Sequence, residues 1–453
     1  MNTSLIERCR TEERHLQDIA AKTVEIARSC GADECEVSVG GARGLDVSSR
    51  GGELENIEFN RDKAMDITVF KGKRRGSAST TDLSEESLTE SVKAALSIAS
   101  FTDEDPCAGL CDPDLQCTKF KELALLDDAL DDPDAAASYA VALERLVLEN
   151  KPEGIKDSDG SEVQSTVYSG ALANSQGFCA ARSASLVHAS LKLLGQDEQK
   201  MQHGYGFSLA RSPQGLLPPE EIAREAVDRT LGKLNARPVK SGRYQVIFSR
   251  NAVNSLWHNF IGAISGGAQY RKTSFLCGKL GERVLPEYVG IFEDPLRPGD
   301  WGSANYDGEG VGVRPLDIVK DGVLAEYLLA TYSARKLKLR SNGHCGGIYN
   351  WFVNFDREHT RSFDELLSEV GEGLVITELM GQGVDLASGT YSRGAAGYYF
   401  KNGQREHAVE EITVAGNLKD MLGTLALTAS DIDERYKIRS GSVLLPDLAV
   451  SGL

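Results

Sequence analysis

The segment GHCGGIYNW (343–351) sets His344 beside Cys345 within a run of glycines. A thiol nucleophile needs a base whose side chain faces it and a third group to orient that base. Sequence neighbours rarely meet that need, so the segment reads as a tight loop with exposed backbone amides, available for contact with a peptide or partner through His344. In SGTYSRGAAGYYF (388–400), Gly394, Ala395 and Gly397 leave little side-chain bulk. That suits an extended peptide added along a sheet edge, and equally tight packing between sheets. His258 stands alone on an apolar helical face, where a histidine is ordinarily packed and hydrogen-bonded. The spacing of His188, His203, His344, His359 and His407 does not complete a metal site around it. Cys107, Cys111 and Cys117 are followed by no second ligand pair. The pentad DSDGS (157–161) has its glycine in the wrong place for a calcium loop and no closing glutamate, so it reads as a β-turn.

These residues need elements to hold them. Helical spacing runs from about Glu13 to Cys30 (Leu16, Ala20, Thr23, Ala27, Cys30 on one face), with Gly31 as its stop. Short alternating segments follow at Glu36–Val39, Leu45–Ser48, Leu54–Phe59 and Met65–Phe70, an antiparallel meander. Ser84 caps a second helix with Leu88, Val92, Ala95 and Ala99 inward. Residues 101–133 are a loop rich in Asp and Pro, a helix covers about Ala135–Glu149, and strands occupy about 162–210. Pro218-Pro219 opens a further helix with Ala223, Ala226, Val227, Thr230 and Leu234 inward. Beyond ARPVKSG (236–242) come many glycines and short strands, with KDG and KNG as tight hairpin turns and a helix around 251–265. The expected fold is α+β: an N-terminal subdomain of helices and antiparallel sheet (1–110), a middle α+β subdomain (111–240), and a C-terminal domain (241–453) that is mostly an antiparallel, barrel-like sheet.

Composition narrows the function classes. The chain has 453 residues and a formal charge of −17, a poor match to nucleic acid, whose phosphates call for a basic face. The dense basic group Lys71, Lys73, Arg74 and Arg75 falls at an expected hairpin tip, where it reads as solvated. No apolar run approaches a membrane helix, and the N-terminus lacks the apolar core of a signal peptide, so no membrane role and a cytoplasmic location are expected. Nine scattered cysteines make a poor disulfide framework and read as free, partly buried thiols.

Several longer stretches carry a resemblance: LWHNFIGAISGGAQYRKTSFLCGKLGERV (256–284), SARKLKLRSNGHCGGIYNW (333–351) and ELMGQGVDLASGTYSRGAAGYYFKNGQREHAVEEITVAGNLKDML (378–422), with GSASTTDLS (76–84), DPCAG (105–109) and GSVLLP (441–446). From about Gly31 to the C-terminus the chain resembles the PmbA/TldE branch of the TldD/PmbA family. The TldD branch binds zinc through the two histidines of an HExxxH helix and a cysteine near the C-terminus. Laid on that pattern, His258 matches the first histidine, Asn259 replaces the glutamate, Ala263 the second histidine, and Ser440 falls at the cysteine position. Asparagine cannot take a proton from water and alanine has no lone pair to donate. The resemblance therefore implies no catalytic residue, metal or other cofactor in this chain. It implies a TldE-like subunit whose TldD-type partner brings the zinc, the pair degrading or trimming unfolded peptides and leader peptides. Two other readings stay open: an autonomous metallopeptidase, as a homodimer with unrecognised ligands, and a non-enzymatic regulator that holds partner proteins, of the gyrase-modulator type.

Overall fold

In the computed structural model, which describes residues 4–198 and 200–453, the first helix α1 (Leu5–Ser29) starts eight residues before its apolar stripe suggests. The reason is a capping box: Ser4 accepts from the Glu7 amide while the Glu7 carboxylate accepts from that of Ser4. The anticipated face is buried, with Leu16, Ala20, Thr23, Val24 and Ala27 inside. The helix α2 (Glu85–Phe101) begins at Ser84 as expected and buries Leu88, Val92, Ala95 and Ala99. The helices α3 (Pro133–Leu148) and α4 (Pro219–Leu231) both start at prolines, whose missing N–H costs nothing at a helix start.

These four helices cover one face of a single antiparallel sheet. Its strands are β1 (Glu34–Arg50), β2 (Glu53–Arg61), β3 (Ala64–Lys71), β4 (Arg74–Thr80), β5 (Ile155–Asn174), β6 (Cys179–Gln196) and β7 (Met201–Ala210), in the order β4-β3-β1-β5-β6-β7 with β2 also on β1. The two segments expected at Glu36–Val39 and Leu45–Ser48 are one continuous strand. One edge of β1 pairs first with β3 and then with β2, while its other edge follows β5 throughout. The change of partner falls at Gly41, where a Cβ would lie 2.1 Å from the Asp62 carbonyl oxygen. Odd-numbered residues of the central strands (Val37, Val39, Val47, Val163, Ala173, Leu191) pack against the helices. Even-numbered Leu172 and Ala180 face the other way, onto Phe178, Cys117 and Tyr306. The sheet spans the first two expected subdomains without a break.

Two local expectations need correcting. DSDGS does not join strands: it lies inside β5 at an irregularity between Ser158 and Ser161, with Gly160 at φ +102. The basic hairpin tip is not simply solvated, since Lys71 donates to the Gly31 carbonyl (2.6 Å), Lys73 to that of Ala108 (3.1 Å) and Arg74 to that of Thr102.

In the C-terminal half, Gly242–Phe248 (β8) runs parallel to Glu372–Met380. That strand pairs antiparallel with Thr390–Lys401, then follow Gln404–Asn417 and Val443–Ser451, which returns to β8 and closes a five-stranded barrel. A second, five-stranded sheet holds Val289–Glu293 at its centre. Between the two lies the helix α5 (Val253–Ile264), whose Leu256, Trp257, Phe260, Ala263 and Ile264 share a core with both. KDG and KNG turn as expected, with Asp321–Gly322 and Asn402–Gly403 all at positive φ.

Candidate functional site

The four positions of the zinc pattern do not converge on a donor set. Positions five apart on a regular helix diverge by about 140°, and α5 is regular. His258 points outward and is exposed rather than packed, with Nδ1 2.7 Å from the Asn254 carbonyl oxygen. The Asn259 amide donates to the Ser255 carbonyl (2.7 Å). Ala263 is fully buried in the core. Ser440 is buried at 2% exposure, and its hydroxyl donates to the Gly441 carbonyl oxygen (3.1 Å). One free imidazole, a carboxamide, a methyl group and a hydroxyl do not fit a zinc ion. Among the described residues no group of three or more His, Cys, Asp and Glu side chains is placed to hold a metal, the Cys107–Cys117 region included. All nine cysteines are free thiols.

His344 turns away from the surface. Its Nε2 lies 2.7 Å from Glu293 Oε2 and its Nδ1 2.8 Å from Asn342 Oδ1, with 1% and 0% of the His344 and Glu293 side chains exposed. Asn342 Oδ1 also accepts from the Leu329 amide, and its amide group donates to Glu326 and to the Tyr327 carbonyl. That network orients the carboxamide, so both imidazole nitrogens face oxygen atoms of Asn342 and Glu293. The second Glu293 oxygen accepts from the Tyr349 amide (2.6 Å). The ring thus anchors the 343–349 loop from below and is not available to a peptide. Sequence reading missed Glu293, although VGIFE places an acid on the buried alternation of Val289 and Ile291.

Gly394, Ala395 and Gly397 lie on a strand bonded on both sides, so no peptide adds to its edge. Their small size serves packing: a Cβ on Gly397 would lie 1.9 Å from the Val375 carbonyl oxygen, opposite a bulge in Glu372–Met380.

Two cavities among the described residues are large enough to take an extended ligand. The first, about 690 Å³, lies between α4 and the barrel and includes Glu225, Arg229, Glu378, Gly397, Tyr398 and Arg435 in its lining. Several of its charges are paired: Arg435 bonds both Glu225 and Asp433, Arg229 bonds Glu225, and Lys233 pairs with Glu378, whereas among the described residues Arg250 and Arg405 bond only carbonyl oxygens. Burial works against ionising Glu225 and Asp433, but Arg435 outweighs it and holds both below their ordinary values. The second cavity, about 1000 Å³, opens between the helix-free face of the sheet and the loops at 301–308 and 345–349. Here Arg182 of β6, Arg211 just after β7 and Lys437 meet Tyr168, Trp301, Tyr306 and Tyr436. Its acids are Asp62 and Asp307. Burial raises Asp307 to about 6 even though the amides of Glu309, Val311 and Cys345 donate to it.

The chain matches the sequence models of three PmbA/TldA metallopeptidase domains: domain 1 over residues 35–99, the central domain over 127–234 and the C-terminal domain over 241–452. It is 39% identical to the metalloprotease PmbA of Escherichia coli O157:H7 over 99% of this chain and 98% of that protein. It is 37% identical to a PmbA homologue of Haemophilus influenzae over 98% and 97%. Among solved structures, a proposed DNA gyrase modulator of Bacteroides thetaiotaomicron superposes with TM-score 0.90 at 23% identity (96% of this chain, 99% of that one). TldE of Thermococcus kodakarensis superposes with TM-score 0.82 at 20% identity (96% and 100%). Three consecutive domain matches and near-complete coverage of its relatives leave one conclusion: this chain belongs to the PmbA/TldD metallopeptidase family.

Proposed function

We propose that this chain is the TldE-type, non-catalytic subunit of a heteromeric zinc metallopeptidase that acts on unfolded peptides and leader peptides. The observation that carries the reading is the donor set on and beside α5. His258 points to solvent, Asn259 cannot serve as the base, and Ala263 is sealed in the core. A second histidine at position 263 would put an imidazole into a packed interior, which supports the absence of a zinc site on this helix. The zinc and the general base then belong to a TldD-type partner, and this chain supplies part of the enclosure around the peptide. The large cavities at the seams between its sheets and barrel suit that task.

The test is metal analysis of the chain purified alone, then with a co-expressed TldD-type protein. The expected result is zinc far below one ion per chain alone, and a stable zinc-bearing complex that cleaves an unfolded peptide when the partner is present. One zinc per chain in the lone protein, with cleavage, would replace this reading by an autonomous metallopeptidase. Failure to form any complex with a TldD-type protein, while other proteins are retained, would replace it by a binding regulator.

A further inference from the structure

The second cavity carries a charge that the rest of the molecule does not explain. The chain is strongly acidic at −17, yet three cations from distant parts of the sequence converge on one cleft. Arg211 donates three of its five N–H groups to the carbonyl oxygens of Ser185, Gly299 and Asp300, and its guanidinium lies 4.5 Å from the Trp301 ring centre. Those acceptors hold its position without cancelling its charge. Arg182 lies over Tyr306 at 5.5 Å, and no carboxylate pairs with it among the described residues. Lys437 has no ion-pair partner among the described residues either. Burial between the walls, then the nearby Arg182 and Arg211, push its ammonium below the ordinary lysine range, with no carboxylate to offset them. Two further cations at the same seam, Arg435 and Arg439, are neutralised by Glu225, Asp433 and Asp300. Arg182, Arg211 and Lys437 thus face the cleft without an ion pair, although Asp62 and Asp307 also line it and Asp300 lies near Arg211.

The opposite wall carries main-chain amides of the 345–349 loop beside Asp307, whose carboxylate is already occupied by the amides of Glu309, Val311 and Cys345. The amides of Gly346, Gly347 and Ile348 have no protein acceptor among the described residues, and Gly346 and Gly347 stand at φ +116 and +110 with open space where a Cβ would be. Backbone donors opposite a cluster of cations match the carbonyls and carboxylates of an extended acidic chain.

From this juxtaposition we infer that the cleft between the sheet and the 345–349 loop binds a carboxylate-bearing peptide segment, held by Arg182, Lys437 and Arg211 on one wall and the loop amides on the other. The inference draws on the proposed function only for the ligand being a peptide. A phosphate would meet the same cations, but the row of unpaired amides and a volume near 1000 Å³ favour a chain over a compact anion.

The experiment measures fluorescence anisotropy of a short labelled glutamate-rich peptide, and of its glutamine counterpart, with the full-length chain alone. Binding to the glutamate peptide should be at least about tenfold tighter and should weaken as salt rises. Arg182→Glu with Lys437→Glu should abolish the preference, as should the milder Arg182→Gln with Lys437→Gln if the double reversal does not fold. Arg14→Glu, on the exposed side of α1, should leave it unchanged. Equal affinity for the two peptides, or a preference that survives in the folded double variant, overturns the inference. So does inorganic pyrophosphate binding the cleft where the glutamate peptide does not, which would reassign it to phosphate. A glutamate preference without any complex with a TldD-type protein would sink the subunit reading and leave the cleft standing. The reverse pattern would do the opposite.

Discussion

The two cavities differ in how their charges are met. Around the first, Glu225, Asp433, Arg229 and Arg435 neutralise one another at hydrogen-bonding distance, and Arg435 stacks 4.1 Å from the Phe207 ring centre. In the second, Arg182, Arg211 and Lys437 form no ion pair among the described residues: Arg211 is held by carbonyls with Asp300 nearby, and the cleft's own acids, Asp62 and Asp307, bond to none of the three. Paired, partly buried charges hold a fold together, and removing one member strands the other. Unpaired charges at an open cleft contribute little to folding and remain available to a ligand. Substitutions around the first cavity should therefore change stability, and those on the cationic wall of the second should change binding.

The anchor beneath the second cavity is the exception, and it gives the largest expected effect. His344→Ala would leave the Glu293 carboxylate, fully buried, with the Tyr349 amide as its remaining partner. The expected loss is about 3–5 kcal/mol, read from urea unfolding of variant and wild type. A loss below about 1 kcal/mol would mean that the pair is not the anchor of the 343–349 loop. Arg435→Ala comes next, at about 3 kcal/mol, because Glu225 and Asp433 are less deeply enclosed, with 19% and 5% of their side chains exposed. Arg182→Gln is the control for the comparison. If it destabilises the chain as much as Arg435→Ala does, the distinction between paired and unpaired cations fails.

Helices were legible wherever a cap and a stripe agreed. Ser84 with Leu88, Val92, Ala95 and Ala99 is the clearest case, and the start of α1 was misplaced because its first turns present few apolar residues. β1 read as two segments because Gly40 and Gly41 look like a break, whereas they let one strand change partners. The glycine-rich strand left two options, and pairing on both edges settled it as close packing. His344 looked available because its neighbours are glycines. The acid that claims it lies in a different strand, and only the alternation in VGIFE hinted at that. The cationic cleft had no local signature, since Arg182, Arg211 and Lys437 come from β6, the end of β7 and the approach to the last strands. Of the dense basic group, Lys71, Lys73 and Arg74 proved to be tied to backbone carbonyls instead.

The smallest effect separates the two regions by pH. Near the first cavity, Glu225 and Asp433 are depressed in the folded state, where Arg435 prevails over burial. Their stabilisation is full above the unfolded carboxyl value of about 4 and is lost as pH falls through the folded values. Behind the second cavity, Glu36 of β1 has the opposite sign: burial, then the charges of Glu309 and Asp307, raise it to about 8. A carboxyl raised on folding binds a proton that the unfolded chain has released, so stability declines from about pH 4 to about pH 8 and levels off above. Glu36→Gln removes that decline. Its urea midpoint should therefore exceed the wild-type value at pH 8.5 and converge with it at pH 4. Arg435→Ala should do the reverse, losing most near neutrality and approaching wild type in acid. The Glu36 effect is the smaller one, because this side chain is only partly enclosed and a little water at the cleft would screen it. Parallel curves for wild type and Glu36→Gln across that range would show that Glu36 is no more buried in solution than an ordinary surface acid.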